Sequence, residues 1–185
     1  MAENDELDLS KKALTNRKRC IYSFVKLFLK LTMSDISESP TMPDFLCCVD
    51  CVGFNLRKAT RAVTQLYDEM LRPAGIRVTQ YSLLVVLKII GPVLVTDLAE
   101  KIVMDRTTLT RNLEVMEKHG LVKVAPGEDR RTRWVTITES GSAVLLEAYP
   151  LWQQAQAKIR ESMGGERLLA LMADLSALID VSQAR

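Results

Sequence analysis

Arginine, threonine and asparagine side chains are concentrated between Asp105 and Gly120. The guanidinium fork of arginine and the hydroxyl and amide groups of threonine and asparagine suit the base edges and phosphates of a DNA major groove. Large apolar residues recur there at i, i+4 and i+7, so a helix that buries them presents the polar side chains outward. The residues predicted to read DNA are Arg106, Thr107, Thr108, Thr110, Arg111 and Asn112. Asp105 is the predicted N-cap of this helix and Gly120 its end.

A two-turn helix is predicted immediately before it, with Thr96 as its N-cap. Two short helices joined by a tight turn form a helix-turn-helix. The β-like segments 121–124 and 133–138 follow and predict a two-stranded hairpin, or wing, around a polar loop. Wing arginines suit the negative potential of a minor groove, and Asp129 is placed to orient Arg131. The wing residues predicted to contact DNA are Asp129, Arg130, Arg131 and Arg133. The alternative is a packing module whose loop arginines are only solvated.

Composition excludes several classes of protein. The chain has 185 residues with a formal net charge of +2, is 48% hydrophobic and only 5% aromatic, which favours an aliphatic, mainly helical interior. No run of apolar residues approaches the length of a membrane span. The four cysteines do not suggest a disulfide framework, so we expect a cytoplasmic protein. With one histidine, no nucleophile elbow and no phosphate-binding glycine loop, we expect neither an enzyme nor a cofactor.

Helices are predicted on both sides of the helix-turn-helix. The segment 47–71 forms a long amphipathic helix, Thr79 caps a buried helix at 80–90, and 93–95 is a short strand. After the wing, Thr138 or Ser140 caps a helix that Pro150 bends or splits, and an apolar last helix follows the turn at Gly164. The first 43 residues form a separate basic extension and linker, predicted to be poorly ordered.

The segment from Thr96 to Thr138, with the wing sequence Gly127-Glu-Asp-Arg-Arg-Thr-Arg-Trp-Val-Thr-Ile-Thr-Glu-Ser-Gly141, resembles the MarR family of bacterial winged-helix regulators. The resemblance covers about 45–182. It implies a mainly α fold with a small β-hairpin wing, a winged helix-turn-helix at about 79–138 inside a domain at 44–185, and dimerisation helices at about 45–71 and 139–182. It also implies a homodimer on a pseudo-palindromic operator, with the outward helix face in the major groove and Arg131, held by Asp129, in the minor groove.

One departure from the family pattern concerns the turn of the helix-turn-helix. Val103 stands where the family commonly has glycine. Because a β-branched residue is poor at positive φ, we expect a distorted or tighter turn.

Two groups of residues are candidates for sensing a signal. Cys47, Cys48 and Cys51 form a possible thiol switch, or else are small buried residues at the dimer interface; a metal site is disfavoured because ligands are too few. Tyr67, Tyr81 and Trp152 line a possible pocket for a small-molecule effector, or else belong to the core. The leading interpretation is a dimeric, sequence-specific DNA-binding repressor that responds to a small molecule or an oxidant, with no integral membrane association. Redox sensing through the cysteines and a non-DNA-binding interaction protein are the alternatives.

Overall fold

Helices make up most of the residues that the structure describes, which are 50–127, 129 and 132–184 of this computed structural model. Contacts within the chain separate Met1–Cys51 from Val52–Arg185, and the second unit is described below. Its elements are α1 (Val52–Leu71), a 3-10 turn (Arg72–Ala74), α2 (Val78–Ile90), β1 (Val93–Leu94), α3 (Val95–Lys101), α4 (Arg106–Lys118), β2 (Val122–Pro126), β3 (Arg133–Ile137), α5 (Glu139–Met163) and α6 (Gly165–Gln183). The predicted fold class, mainly α with a small β wing, is confirmed.

The predicted short strand at 93–95, observed at Val93–Leu94, joins the two strands of the predicted hairpin in one sheet. Its order is β1-β3-β2, with both neighbours antiparallel to the central β3. Val135 of β3 lies opposite Val93 on one side and Val124 on the other. The prediction of a two-stranded hairpin was therefore incomplete, because β1 joins it from before the helix-turn-helix. The composition of 93–95 indicated a strand, but not its pairing with β3, which lies about forty residues further along the chain.

The core lies between α2, the helix-turn-helix and the inner face of the sheet. Apart from Tyr67 and Tyr81, its buried members are aliphatic, as the low aromatic content predicted. The fully buried large side chains are Leu71, Leu84, Leu87, Leu98, Leu109, Met116, Val122 and Val135. This core fixes which faces of α3 and α4 point inward, and it thereby determines which face of α4 reaches solvent.

Two helices begin two residues earlier than predicted. Thr79 is not the N-cap of α2, which begins at Val78 after Arg77. The Val78 N–H donates to Asp68 Oδ1 (2.8 Å), an acceptor on α1, and the Arg77 N–H donates to Gln80 Oε1 (2.9 Å). Thr96 is not the N-cap of α3, because Leu94 occupies that position. The Thr96 hydroxyl instead donates to Asp97 Oδ1 at 3.1 Å.

Helix α5 starts at Thr138, one of the two N-caps that the sequence predicted, and continues through a proline. Thr138 Oγ1 accepts a hydrogen bond from the Gly141 N–H (2.9 Å) and donates one to the Gly120 carbonyl (2.6 Å). Pro150 lies inside the helix without splitting it. The proline removes one backbone donor and its ring crowds the carbonyl of Leu146, and burial of Leu145, Ala148 and Ala155 on the two sides offsets that cost.

In the described part of the chain, no single helix has the length and apolar character needed to cross a membrane. Taken together, Val52–Ala74 and Val78–Ile90 pass that test, but the two segments are bent by 74°.

Candidate nucleic-acid interface

Helix α4 turns most of its predicted DNA-reading side chains toward solvent. Leu109, Leu113 and Met116 are buried on its inner face, as predicted. The exposed side chains on the opposite face belong to Arg106, Thr107, Thr108 and Arg111. The other two predicted residues are half-buried: Thr110 Oγ1 donates to the Arg106 carbonyl (2.8 Å), and Asn112 Nδ2 lies 3.8 Å from Met104 Sδ. The face open to DNA therefore centres on the four exposed residues.

Asp105 caps the N-terminus of α4, as predicted. Its Oδ1 accepts a hydrogen bond from the Thr108 N–H at 2.9 Å. Hydrogen bonds from Thr108 hold the pKa of the exposed Asp105 carboxyl below its usual range. The cap thus fixes the first turn of α4, where Arg106, Thr107 and Thr108 begin the exposed face.

The turn between α3 and α4 keeps a regular hydrogen-bond pattern although Val103 occupies its left-handed position. The Val103 N–H donates to the Glu100 carbonyl (3.1 Å) and the Met104 N–H to the Ala99 carbonyl (2.9 Å), which together form a Schellman motif. Val103 has φ +53°, whereas the matching position after α4 is Gly120 with φ +70°. The expected distortion of the turn is therefore wrong; the strain lies in the valine backbone instead.

The wing places one of its predicted residues on a strand and one in the loop. Arg133 is exposed and begins β3. Asp129 is exposed in the loop, where its carbonyl accepts hydrogen bonds from the Thr132 N–H (2.9 Å) and Thr132 Oγ1 (2.8 Å). Arg130 and Arg131 lie outside the described residues, so the predicted contact between Asp129 and Arg131 stays a prediction.

The three predicted pocket aromatics belong to two grooves that share Trp152. The Trp152 ring stacks on Tyr81, with centroids 6.0 Å apart, and on Tyr149 at 5.8 Å. Tyr67 and Trp152 line a groove of about 790 Å³ between α1, α5 and α6, whereas Tyr81, Tyr149 and Trp152 line one of about 500 Å³ between α2 and α5. Burial raises the pKa of Tyr67 and, together with the nearby Tyr149 and Tyr67, that of Tyr81. Sequence reasoning missed Tyr149.

Of the three predicted redox cysteines, the structure describes one. Cys51 is exposed just before α1, and Cys47 and Cys48 lie outside the described residues. Among the residues that the structure does describe, no group of three or more His, Cys, Asp or Glu side chains could hold a metal ion.

Comparison with known proteins agrees with this geometry. A sequence profile described as MarR family matches residues 74–132. The transcriptional regulator MosR of M. tuberculosis, solved in complex with DNA, is 38% identical; the match covers 72% of this chain and 99% of that one, with a TM-score of 0.64. The chain belongs to the MarR family.

Other relatives of this MarR-family chain are more distant. The repressor NicR of Pseudomonas putida is 28% identical over 70% of this chain and 82% of its own length. The uncharacterised regulator YwoH of Bacillus subtilis is 29% identical over 45% of this chain, and the chain spans only 61% of that protein. The family and these relatives are transcriptional regulators rather than enzymes.

Proposed function

We propose that this chain is a sequence-specific DNA-binding transcriptional regulator that acts in the cytoplasm as a homodimer. One observation carries the proposal: α4 buries its leucines and turns Arg106, Thr107, Thr108 and Arg111 to solvent at a capped N-terminus. A cluster of arginine forks and hydroxyls on one helix face suits the donor and acceptor pattern of a major groove. The predicted wing contacts Arg131 and Arg133 would enter the neighbouring minor groove, whose negative potential favours arginine. The relative MosR, solved with DNA, supports this assignment.

The dimer is supported by α6. None of its described side chains is buried within the single chain. Its exposed large apolar residues include Leu169, Met172, Leu178 and Val181, and α1 adds Val52 and Phe54. A helix with so much apolar surface requires a partner, and a second copy provides one with two-fold symmetry. Two α4 helices then reach two half-sites of a pseudo-palindromic operator, about one helical turn apart.

Repression that responds to a small molecule is the mode of action we propose. Repression is supported by the relative NicR, which is named as a transcriptional repressor. The response to a small molecule is supported by two grooves, one beside Tyr67 and Trp152 and the other beside Tyr81. Both grooves are mainly apolar, include polar groups and are large enough for a small ligand. Both grooves contact α5, which follows the wing directly. A ligand there can change the spacing of the two α4 helices.

Binding to duplexes selected by the wild-type protein from a randomised library tests the proposal. We expect an enriched sequence with inverted symmetry, bound by a dimer. Arg131→Ala is expected to weaken binding and to reduce its salt dependence by about one phosphate contact per wing while the dimer stays intact. A library without an enriched sequence would instead favour an interaction protein, and unchanged affinity of the Arg131 variant would remove the wing from the mechanism.

A second candidate mode is thiol-based redox sensing. It is motivated by the cysteines at 47, 48 and 51, of which Cys51 is exposed. Thiolates close to a helix start are activated toward oxidation. Mild peroxide should then release wild-type protein from its operator but not the variant with serine at all three positions. Equal release of both proteins would eliminate this mode.

A further inference from the structure

A hydrogen bond joins the outer edge of the wing to α4, the helix proposed to read DNA. Strand β2 is an edge strand, so every second backbone N–H points away from β3. The Gly127 N–H donates across the hairpin to the Thr132 carbonyl (2.9 Å). Because the direction alternates along the strand, the backbone nitrogens of Val122, Val124 and Pro126 point away from β3. Proline has no N–H to offer. The Val124 N–H donates to Glu117 Oε1 at 2.8 Å.

Glu117 lies in the last turn of the helix whose first turns form the proposed DNA-reading face. Glu114, Glu117, Val124 and Arg133 are among the residues that line one cavity of about 20 Å³, roughly the space of one water. The hydrogen bond therefore joins α4 to the base of the wing directly beside Arg133, a predicted DNA contact.

We propose that Glu117 is a positioning residue for DNA binding. Its carboxylate holds the base of the wing against α4, so that the helix and the wing loop keep the spacing needed to enter adjacent grooves together. This inference rests on the proposed function. A wing that pivots freely must be ordered when DNA binds, and that ordering reduces affinity. A purely structural alternative is that Glu117 only covers an edge strand, which protects the sheet from aggregation without affecting DNA binding.

A pair of substitutions separates the hydrogen bond from the charge. Glu117→Ala removes both, whereas Glu117→Gln removes the charge but keeps an oxygen that can accept from Val124. Because losing a negative charge near DNA strengthens binding in both variants, their difference reports the hydrogen bond. We expect the alanine variant to bind the selected operator about tenfold more weakly than the glutamine variant.

Glu114 provides the matched control. It lines the same cavity one turn earlier and, among the hydrogen bonds of the described residues, makes none to β2. Glu114→Ala and Glu114→Gln should therefore bind the operator equally. Val124→Pro removes the donor instead, since proline has no N–H, as Pro126 in the same strand also lacks one. In that background, the variants with alanine and with glutamine at position 117 should bind the operator equally.

Hydrogen exchange of the Val124 amide supplies a readout without DNA. We expect exchange at least about tenfold faster in Glu117→Ala than in wild type, with Glu117→Gln close to wild type. Unchanged exchange in the alanine variant, or equal operator affinity of the two Glu117 variants, would overturn the positioning role alone. A wild-type protein that binds no DNA would overturn the proposed function, and this role with it, while leaving the exchange result intact.

Discussion

At the scale of single residues, the turn of the helix-turn-helix holds a valine, Val103, in the left-handed region of backbone space. Val103 is 54% exposed and has φ +53°, so its side chain gains little from packing while its backbone is strained. Val103→Gly and Val103→Asn, each made singly, should raise the free energy of unfolding by about 1 kcal/mol in urea titrations.

Val115 is the matched control for that prediction. It is an exposed valine inside α4, where the backbone is helical. Val115→Gly should lower the free energy of unfolding by about 0.5 kcal/mol, because glycine is the poorer helix former. Changes of the same sign at both positions would mean that the turn is not strained.

The N-cap of α4 makes a pH prediction. Because hydrogen bonds lower the pKa of Asp105 in the folded chain, its charge stabilises the fold above the unfolded pKa of about 3.9, and this is lost as pH falls through the lower folded value. Asp105→Asn keeps a capping oxygen without the titration. The stability difference between the two proteins, measured by urea unfolding, should be constant above about pH 5 and shrink below about pH 4. A difference independent of pH would contradict the assignment.

At the scale of elements, the junction of α4, the wing and α5 depends on Thr138. Its hydroxyl both caps α5 and donates to the Gly120 carbonyl that ends α4. Thr138→Ala should lower the free energy of unfolding by about 1–2 kcal/mol, and Thr138→Ser, which keeps both bonds, should lose much less. Equal losses in thermal or urea unfolding would indicate that the methyl group, and not the hydroxyl, holds the junction.

Elements could be predicted where the signal is local. Apolar periodicity gave the inner face of α4, and Asp105 and Thr138 were identified as caps because capping chemistry acts over three residues. The features that could not be predicted depend on contacts between residues distant in the chain. Asp68 on α1 supplies the acceptor that starts α2 before Thr79, and the pairing of the predicted strand β1 with β3 depends on a contact across the helix-turn-helix. Likewise Glu117 is an ordinary surface glutamate until the fold brings Val124 to it.

At the scale of the whole molecule, the apolar surface of α6 predicts the oligomer. Leu169 on α6 and Ile89 on α2 are exposed to a similar degree, 72% and 76%. Leu169→Glu should shift the protein toward monomer in sedimentation experiments, because a charge buried at an interface is costly. Ile89→Glu, outside the proposed interface, should leave the dimer intact. If instead Ile89→Glu gave monomer and Leu169→Glu stayed a dimer, the dimer interface would lie at α2 rather than at α6.

DNA binding by this chain depends, in the proposed function, on the outward face of α4. The most direct test compares wild type, Arg111→Ala and Lys88→Ala for binding to the selected operator and to variants with single base-pair changes. Lys88 is an exposed cation on α2 whose Nζ donates to Ser142 Oγ on α5 (3.4 Å), so it controls for loss of a positive charge outside α4. We predict that Arg111→Ala binds about tenfold or more weakly and loses preference at one base pair per half-site, while Lys88→Ala keeps its sequence preference. Unchanged affinity and preference in the Arg111 variant would contradict the account.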